Sequence, residues 1–132
     1  MKAMVDALKK LAEIPPSSFH VLEPAKAKRL GGKTMVIPGA AEVLEVIGKI
    51  AFGESRTLLQ IRQTLAADAG ADSACPFMTN KIWKLIAWAA QDPAAPDSIK
   101  DCAWWRVLKD GKFDAKLPGG EDRHQKLLCA EK

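Results

Sequence analysis

Apolar residues recur along the chain at the spacing of one face of an α-helix, with polar residues between them. Over residues 2–13 this repeat places Met4, Ala7, Leu8 and Leu11 on one face, and two consecutive prolines end it. The same periodicity predicts four more helices. They cover about 40–51, 57–68, a stretch that includes 81–89, and 121–130.

Two of these helices are predicted to form a helix-turn-helix. Thr57 is a suitable N-cap for the first, and the run from Ala69 to Asp72 breaks its pattern. The second turns an apolar face inward, while Lys81, Lys84 and Trp88 share another face at helical spacing. This second helix is therefore the candidate reader of a nucleic acid.

The remaining segments are predicted to be irregular. Residues 17–39 contain prolines, a Gly31-Gly32 pair and four cations, a composition typical of an extended surface segment. This segment is either a basic arm that contacts phosphate or a solvated connector. Residues 94–101 read as a loop, Trp104-Trp105 as an extended or irregular stretch, residues 109–111 as a tight turn, and residues 112–116 as a small wing or turn.

The composition is that of one globular domain. With 132 residues, 48% of them hydrophobic, the chain is long enough to bury a core. Its net charge of +4 permits a nucleic-acid partner without requiring one. No apolar run approaches the roughly 18 residues of a membrane span, and the N-terminus lacks a secretory signal. We therefore expect a cytoplasmic protein that does not associate with membranes.

The cysteines argue against two kinds of site. Cys75, Cys102 and Cys129 are odd in number and have no close Cys or His spacing. This pattern disfavours a disulfide framework and a zinc site, and we expect no metal and no cofactor.

Residues 101–111 read DCAWWRVLKDG and hold the most informative motif. Two adjacent indoles are costly to expose. Arg106 beside them offers a planar cation that stacks on an aromatic ring or pairs with an anion. The stretch resembles the active-site segment Pro-Cys-His-Arg-Val of the methylated-DNA-protein cysteine methyltransferases, with residues 103–107 in its register. Upstream, residues 42–61 resemble the family's helix, its Gly-Glu-x-Arg-Thr turn and the start of its helix-turn-helix. Downstream, the family's closing pattern is matched by Pro118-Gly119-Gly120, Lys126, Leu127, Leu128 and Glu131.

The resemblance covers roughly residues 38–131 and implies a division of the chain. Residues 1–37 would be an N-terminal helix and basic connector, and residues 38–132 a DNA-binding domain. The implied fold is mainly α, with a helix-turn-helix or winged-helix arrangement as in the C-terminal domain of the DNA alkyltransferases.

On this register the chemistry of alkyl transfer is missing. Trp104 takes the place of the nucleophilic cysteine and Trp105 that of the histidine, so neither a thiolate nor an imidazole is available there. Alkyltransferase-like proteins, in which tryptophan replaces the cysteine, bind alkylated guanine in DNA without repairing it. The resemblance thus implies non-enzymatic recognition of alkylated guanine in double-stranded DNA, by nucleotide flipping, and delivery of the lesion to a repair-protein partner.

The resemblance also implies roles for individual residues. In the family, the reader helix lies in the minor groove and inserts an arginine wedge from near its start, for which Trp83 or Lys84 is the candidate substitute here. The implied DNA-binding residues are Arg56, Lys81, Trp83, Lys84 and Arg106, and the implied lesion pocket is Trp104 with Trp105.

The sequence also permits other interpretations of these residues. The indoles could all belong to the core, the lysines could lie on an ordinary solvated face, and Arg106 could be structural. Cys75, at the expected start of the reader helix where the dipole would lower a thiol pKa, or Cys102 could make the chain a thiol-dependent transferase. The fold could also serve as a protein-interaction module. His124 is expected on the surface of the last helix.

Overall fold

A computed structural model describes residues 6–30 and 32–131. The predicted positions of residues 2–5, Met4 among them, lie outside this range. In chain order the elements are α1 (Ala7–Ala12), β1 (Ser18–Val21), α2 (Pro24–Leu30), β2 (Thr34–Ile37), α3 (Ala40–Gly48), β3 (Arg56–Thr57), α4 (Leu58–Ala69), β4 (Ser73–Ala74), α5 (Pro76–Ala89), α6 (Asp97–Lys100), a 3₁₀ segment (Trp104–Arg106), β5 (Val107–Leu108) and α7 (Gly120–Cys129).

The fold is mixed α/β, with about 52% of the described residues in helices. Its helical content agrees with the mainly α prediction in this coarse sense. Strand β2 pairs with β1 in antiparallel and with β4 in parallel orientation, and β3 pairs in parallel with β5. None of these short strands was expected from the sequence.

Local sequence signals set the limits of α4. The Thr57 hydroxyl accepts the N–H of Gln60 at 3.2 Å, and the Gln60 side chain accepts the N–H of Thr57 at 2.8 Å. This reciprocal capping box satisfies two N–H groups that the helix leaves without a partner. Gly70 ends the helix with φ of 69°, which glycine adopts without steric cost. The predicted cap and stop are both confirmed.

Helix α5 forms the centre of the core. Ile82, Trp83 and Ile86 are completely buried, and α1, α3, α4 and α6 all contact this helix. The same core includes Ala7 and Leu11 of α1 and Val36 of β2. The boundary expected at residue 37 therefore falls within one continuous core.

The segments predicted to be irregular contain more regular structure than expected. Residues 17–39 are not one extended segment, because β1, α2 and β2 form a helix-containing hairpin there. Trp104 and Trp105, predicted to lie in an extended or irregular stretch, form the start of the 3₁₀ segment, and α6 occupies the predicted loop. The turn at residues 109–111 is confirmed: Asp110 and Gly111 have φ of 53° and 75°, the conformation that an Asp-Gly pair favours.

Candidate functional site

Four ring side chains pack together beside the 3₁₀ segment in a group that we call the aromatic cluster: Trp83, Trp104, Phe113 and His124. All except the half-buried Phe113 are buried. The His124 ring lies 4.9 Å from Phe113, 5.9 Å from Trp104 and 6.1 Å from Trp83, measured between centroids. Trp83 and His124 are 0% exposed and Trp104 is 1% exposed. The cluster therefore joins α5, the 3₁₀ segment and α7 into one unit.

Hydrogen bonds fix the orientation of two of these rings. The indole N–H of Trp83 donates to the main-chain oxygen of Trp104 at 2.9 Å. The Nδ1 atom of His124 accepts the N–H of Asp114 at 3.3 Å, so its Nε2 carries the proton and donates to the oxygen of Trp105 at 2.9 Å. Burial lowers the pKa of His124, although hydrogen bonds to the main chain of Trp105 and Val107 and the charge of Asp114 oppose the shift.

The prediction that His124 lies on the surface is wrong. It occupies the inward face of α7 together with Leu128, one turn later. The spacing from His124 to Leu127 and Leu128 was the signal in the sequence, because residues three and four apart share a helix face. A histidine at such a position reads as polar, which is why the pattern was missed.

Glu131 organises a second polar group next to the cluster. Its carboxylate accepts the indole N–H of Trp105 at 2.8 Å, the Nε of Arg106 at 2.8 Å and the N–H of Gly53 at 2.9 Å. Arg106 also donates through Nη1 to the oxygen of Ile50 at 2.7 Å. The Arg106 guanidinium, with these other donors, lowers the pKa of Glu131 to about 2.

Arg106 was expected to be either a structural cation or a DNA contact. Its side chain is 15% exposed and is paired with Glu131, an arrangement that fits the structural alternative. Trp105 is half-buried and holds the same carboxylate.

The lesion pocket expected at Trp104 and Trp105 is closed in this conformation. Trp104 is 1% exposed, and Trp105 packs edge to face against it with ring centroids 5.7 Å apart. In an extended segment, two neighbouring indoles would point to opposite sides. Because the 3₁₀ segment curls the backbone, both instead pack into the protein.

Two of the three DNA contacts expected on α5 are also inside the protein. Trp83 is completely buried and cannot act as a wedge from this position. The Lys84 side chain is 13% exposed, and its Nζ lies 3.6 Å from the Asp114 carboxylate. Lys81 is exposed as predicted, and it has no salt-bridge partner among the described residues.

One surface residue of α5 was missed. Phe77 follows Pro76 at the start of the helix, and it is 76% exposed. Lys81 lies one turn later on the same face. The sequence did carry a signal, since Phe77 does not fit the apolar repeat that Ile82, Leu85 and Ile86 define.

Arg56 lies at the surface where β3 pairs with β5. Its guanidinium donates to the oxygen of Ser55 at 2.8 Å and pairs with Glu54 at 3.2 Å, and its side chain is about two-fifths exposed. An exposed pair of this kind contributes little to stability. Arg56 thus keeps access to solvent, unlike Arg106 and Lys84.

The cysteines offer little support for thiol chemistry. Cys102 is buried, and this burial raises the pKa of its thiol to about 11, so the reactive thiolate is disfavoured. Cys75 is partly exposed at the N-cap of α5. Across residues 6–30 and 32–131, no three His, Cys, Asp or Glu side chains come together as a set of metal ligands.

Comparisons with known proteins found no relative of this chain. No protein-family profile, curated protein or solved structure matches the chain. Within the part of the chain that the structure describes, every helix is too short or too polar to cross a membrane.

Proposed function

We propose that this chain is a non-enzymatic DNA-binding protein of the alkyltransferase-like kind, which contacts double-stranded DNA through the exposed N-terminal part of α5. The observation that carries the proposal is the pair formed by Phe77 and Lys81. An apolar ring with 76% of its surface exposed stands one helical turn from an exposed cation that has no salt-bridge partner in the part of the chain that the structure describes. Proteins that bind the minor groove combine such an apolar wedge with cations that neutralise phosphates.

The helix-turn-helix interpretation supports this assignment. Helices α4 and α5 follow each other through a short connection at residues 70–75, and α5 buries its opposite face in the core. A rigid helix with one exposed end is well suited to enter a groove. Phe77 thereby takes over the wedge role that the sequence assigned to Trp83 or Lys84.

The missing nucleophile supports the absence of alkyl transfer. Trp104 stands in the cysteine position of the resemblance, and the buried Cys102 is a poor substitute because its thiol pKa is raised to about 11. A thiol-dependent transferase is therefore disfavoured.

The resemblance extends the proposal to DNA that contains alkylated guanine and to a repair-protein partner that receives the lesion. Trp104 would contact the flipped base. Since Trp104 is 1% exposed, the aromatic cluster must open before such a contact forms. Lesion recognition by this route would be accompanied by a change in tryptophan fluorescence.

The test is a titration of a labelled duplex, with and without one O6-methylated guanine, at two salt concentrations. Phe77→Ala should weaken binding to both duplexes. The salt slope is the slope of the logarithm of the binding constant against the logarithm of the salt concentration, and Lys81→Glu should lower its magnitude by about 1. Lys126→Glu on α7 changes the charge equally and is the control. Equal effects of Lys81→Glu and Lys126→Glu would contradict the assigned face. A wild-type protein that binds neither duplex at low salt would overturn DNA binding and favour the protein-interaction module.

A further inference from the structure

The hairpin formed by β1, α2 and β2 carries a concentrated positive charge. Lys26, Lys28 and Arg29 lie on the exposed surface of α2, and Lys33 follows shortly before β2. Residues 24–33 contain no acidic side chain. Within the described parts of the chain none of the four cations has a salt-bridge partner. The structure thus leaves the charges of Lys26, Lys28 and Arg29 available to an external anion, whereas Lys33 interacts electrostatically with Asp72.

The hairpin is attached firmly to the connection between α4 and α5. The Asp72 carboxylate in that connection accepts the N–H of Lys33 at 2.8 Å and of Thr34 at 3.2 Å, and the Thr34 hydroxyl accepts the N–H of Asp72 at 2.9 Å. These donors lower the pKa of Asp72. A side chain at Gly32 would collide with Asp72, so the backbone approaches closely there.

Pairing continues from this anchor to the start of α5. In the register of the parallel strands, Met35 lies opposite Ser73 and Val36 opposite Ala74. The N–H of Cys75, the N-cap of α5, then donates to the oxygen of Val36 at 2.9 Å. The sheet that contains β1 and β2 therefore also contains β4, the strand that leads directly into α5, and it connects the hairpin to the start of that helix.

We infer that the hairpin is a second DNA-contacting element, in which Lys26, Lys28 and Arg29 bind backbone phosphates beside the groove that α5 enters. This inference depends on the DNA binding proposed above and adds an electrostatic contact from residues outside the region of family resemblance. Lysine and arginine side chains at a fixed distance from a reader helix set its position on the duplex without reading sequence. An unanchored basic arm would instead lose affinity through the entropy of its ordering.

The first experiment neutralises the hairpin. The variant Lys26→Gln, Lys28→Gln, Arg29→Gln should reduce the magnitude of the salt slope by about 3 and weaken binding at low salt by roughly 10- to 100-fold. The control variant Lys9→Gln, Lys10→Gln, Lys126→Gln removes the same charge from exposed positions on α1 and α7. Its slope should stay close to that of the wild type. Equal slopes for the two variants would overturn the inference.

The second experiment tests the anchor. Asp72→Ala removes a negative charge, so electrostatics alone predicts tighter binding to DNA. If the hairpin needs its anchor, Asp72→Ala instead binds more weakly than Asp68→Ala, which removes an exposed charge from α4 without touching the hairpin. Thermal melting curves are the control that checks whether both variants are folded. Binding by Asp72→Ala as tight as by Asp68→Ala would contradict an anchored phosphate contact.

The outcomes separate the inference from the function that it presupposes. If the wild type binds duplex DNA and the hairpin variant keeps its full salt slope, the inference alone fails. Should the wild type bind no duplex at low salt, both fail. Binding to anionic lipid vesicles that is lost in the hairpin variant, with an unchanged DNA slope, would assign the hairpin to a membrane surface and also overturn it.

Discussion

The indole N–H of Trp83 donates to the main-chain oxygen of Trp104 at 2.9 Å, and both side chains are buried. This bond connects the centre of α5 to the 3₁₀ segment, which consists of the Trp-Trp-Arg motif. In the register of the family resemblance expected from the sequence, the place of the nucleophile thus falls on an indole packed in the core. Trp104 is therefore part of the core in this conformation.

Trp83→Phe tests the contribution of this bond to stability. Among the described residues Trp83 is the only side-chain donor to the Trp104 oxygen. The change removes this donor and leaves a small cavity, so the free energy of unfolding should fall by about 2–4 kcal/mol. Urea unfolding measures it. Trp88→Phe is the matched control, because its indole N–H also donates to a main-chain oxygen, that of Lys116, at 2.9 Å but in an exposed setting. Equal losses in the two variants would contradict a special role for the buried bond.

Glu131→Gln tests the polar group around Arg106. The pKa of Glu131 is lowered from an ordinary value of 4.5 to about 2, so the folded state favours the carboxylate. Its stabilisation is complete above the unfolded pKa and is lost as pH falls through the folded pKa. The gap in unfolding free energy between wild type and Glu131→Gln should therefore shrink between about pH 5 and pH 2.

The control for that experiment is Glu45→Gln, which breaks an exposed ion pair with Lys49 on α3. It should change the unfolding free energy little at any pH, because exposed pairs contribute weakly. A gap for Glu131→Gln that stays constant with pH would mean that the carboxylate charge does not stabilise the fold.

Much of the helical framework could be predicted from the sequence. The periodicity of Ile82, Leu85 and Ile86 indicated the buried face of α5, and Thr57 and Gly70 marked the limits of α4. These signals are local, since each depends on residues within a few turns of one helix. These local signals indicate which elements form, but not which other elements each one packs against.

The short sheets and the site could not be read in the same way. Strands β3, β4 and β5 have two residues each, too few for a period of two to be visible. Arg106 and Glu131 are 25 positions apart in the chain, and only the packing of α7 brings them together. Lys84 likewise pairs with Asp114 through tertiary contacts. Both cations looked like surface residues because their partners are distant in sequence.

His124→Phe tests whether the buried imidazole makes stability depend on pH. Burial lowers the pKa of His124 below its ordinary 6.5, so the unfolded chain binds the proton more readily than the folded one. Stability should then decline as pH falls from about 6.5, and this decline should be absent in His124→Phe. His20→Gln, which changes the other, exposed histidine, should retain it. A decline of the same size in His124→Phe would assign the dependence to another group.

Thiol labelling tests the disfavoured transferase interpretation. At neutral pH a thiol reagent should modify the exposed Cys129 quickly, whereas Cys102 should react only after unfolding, because it is buried and its thiol pKa is about 11. Peptide mapping by mass spectrometry identifies each product. Incubation with DNA that contains labelled O6-methylguanine should transfer no methyl group to the protein. Label that appears on Cys102 or Cys75, and disappears in the corresponding Cys→Ser variant, would show that the chain is an alkyltransferase with a relocated nucleophile.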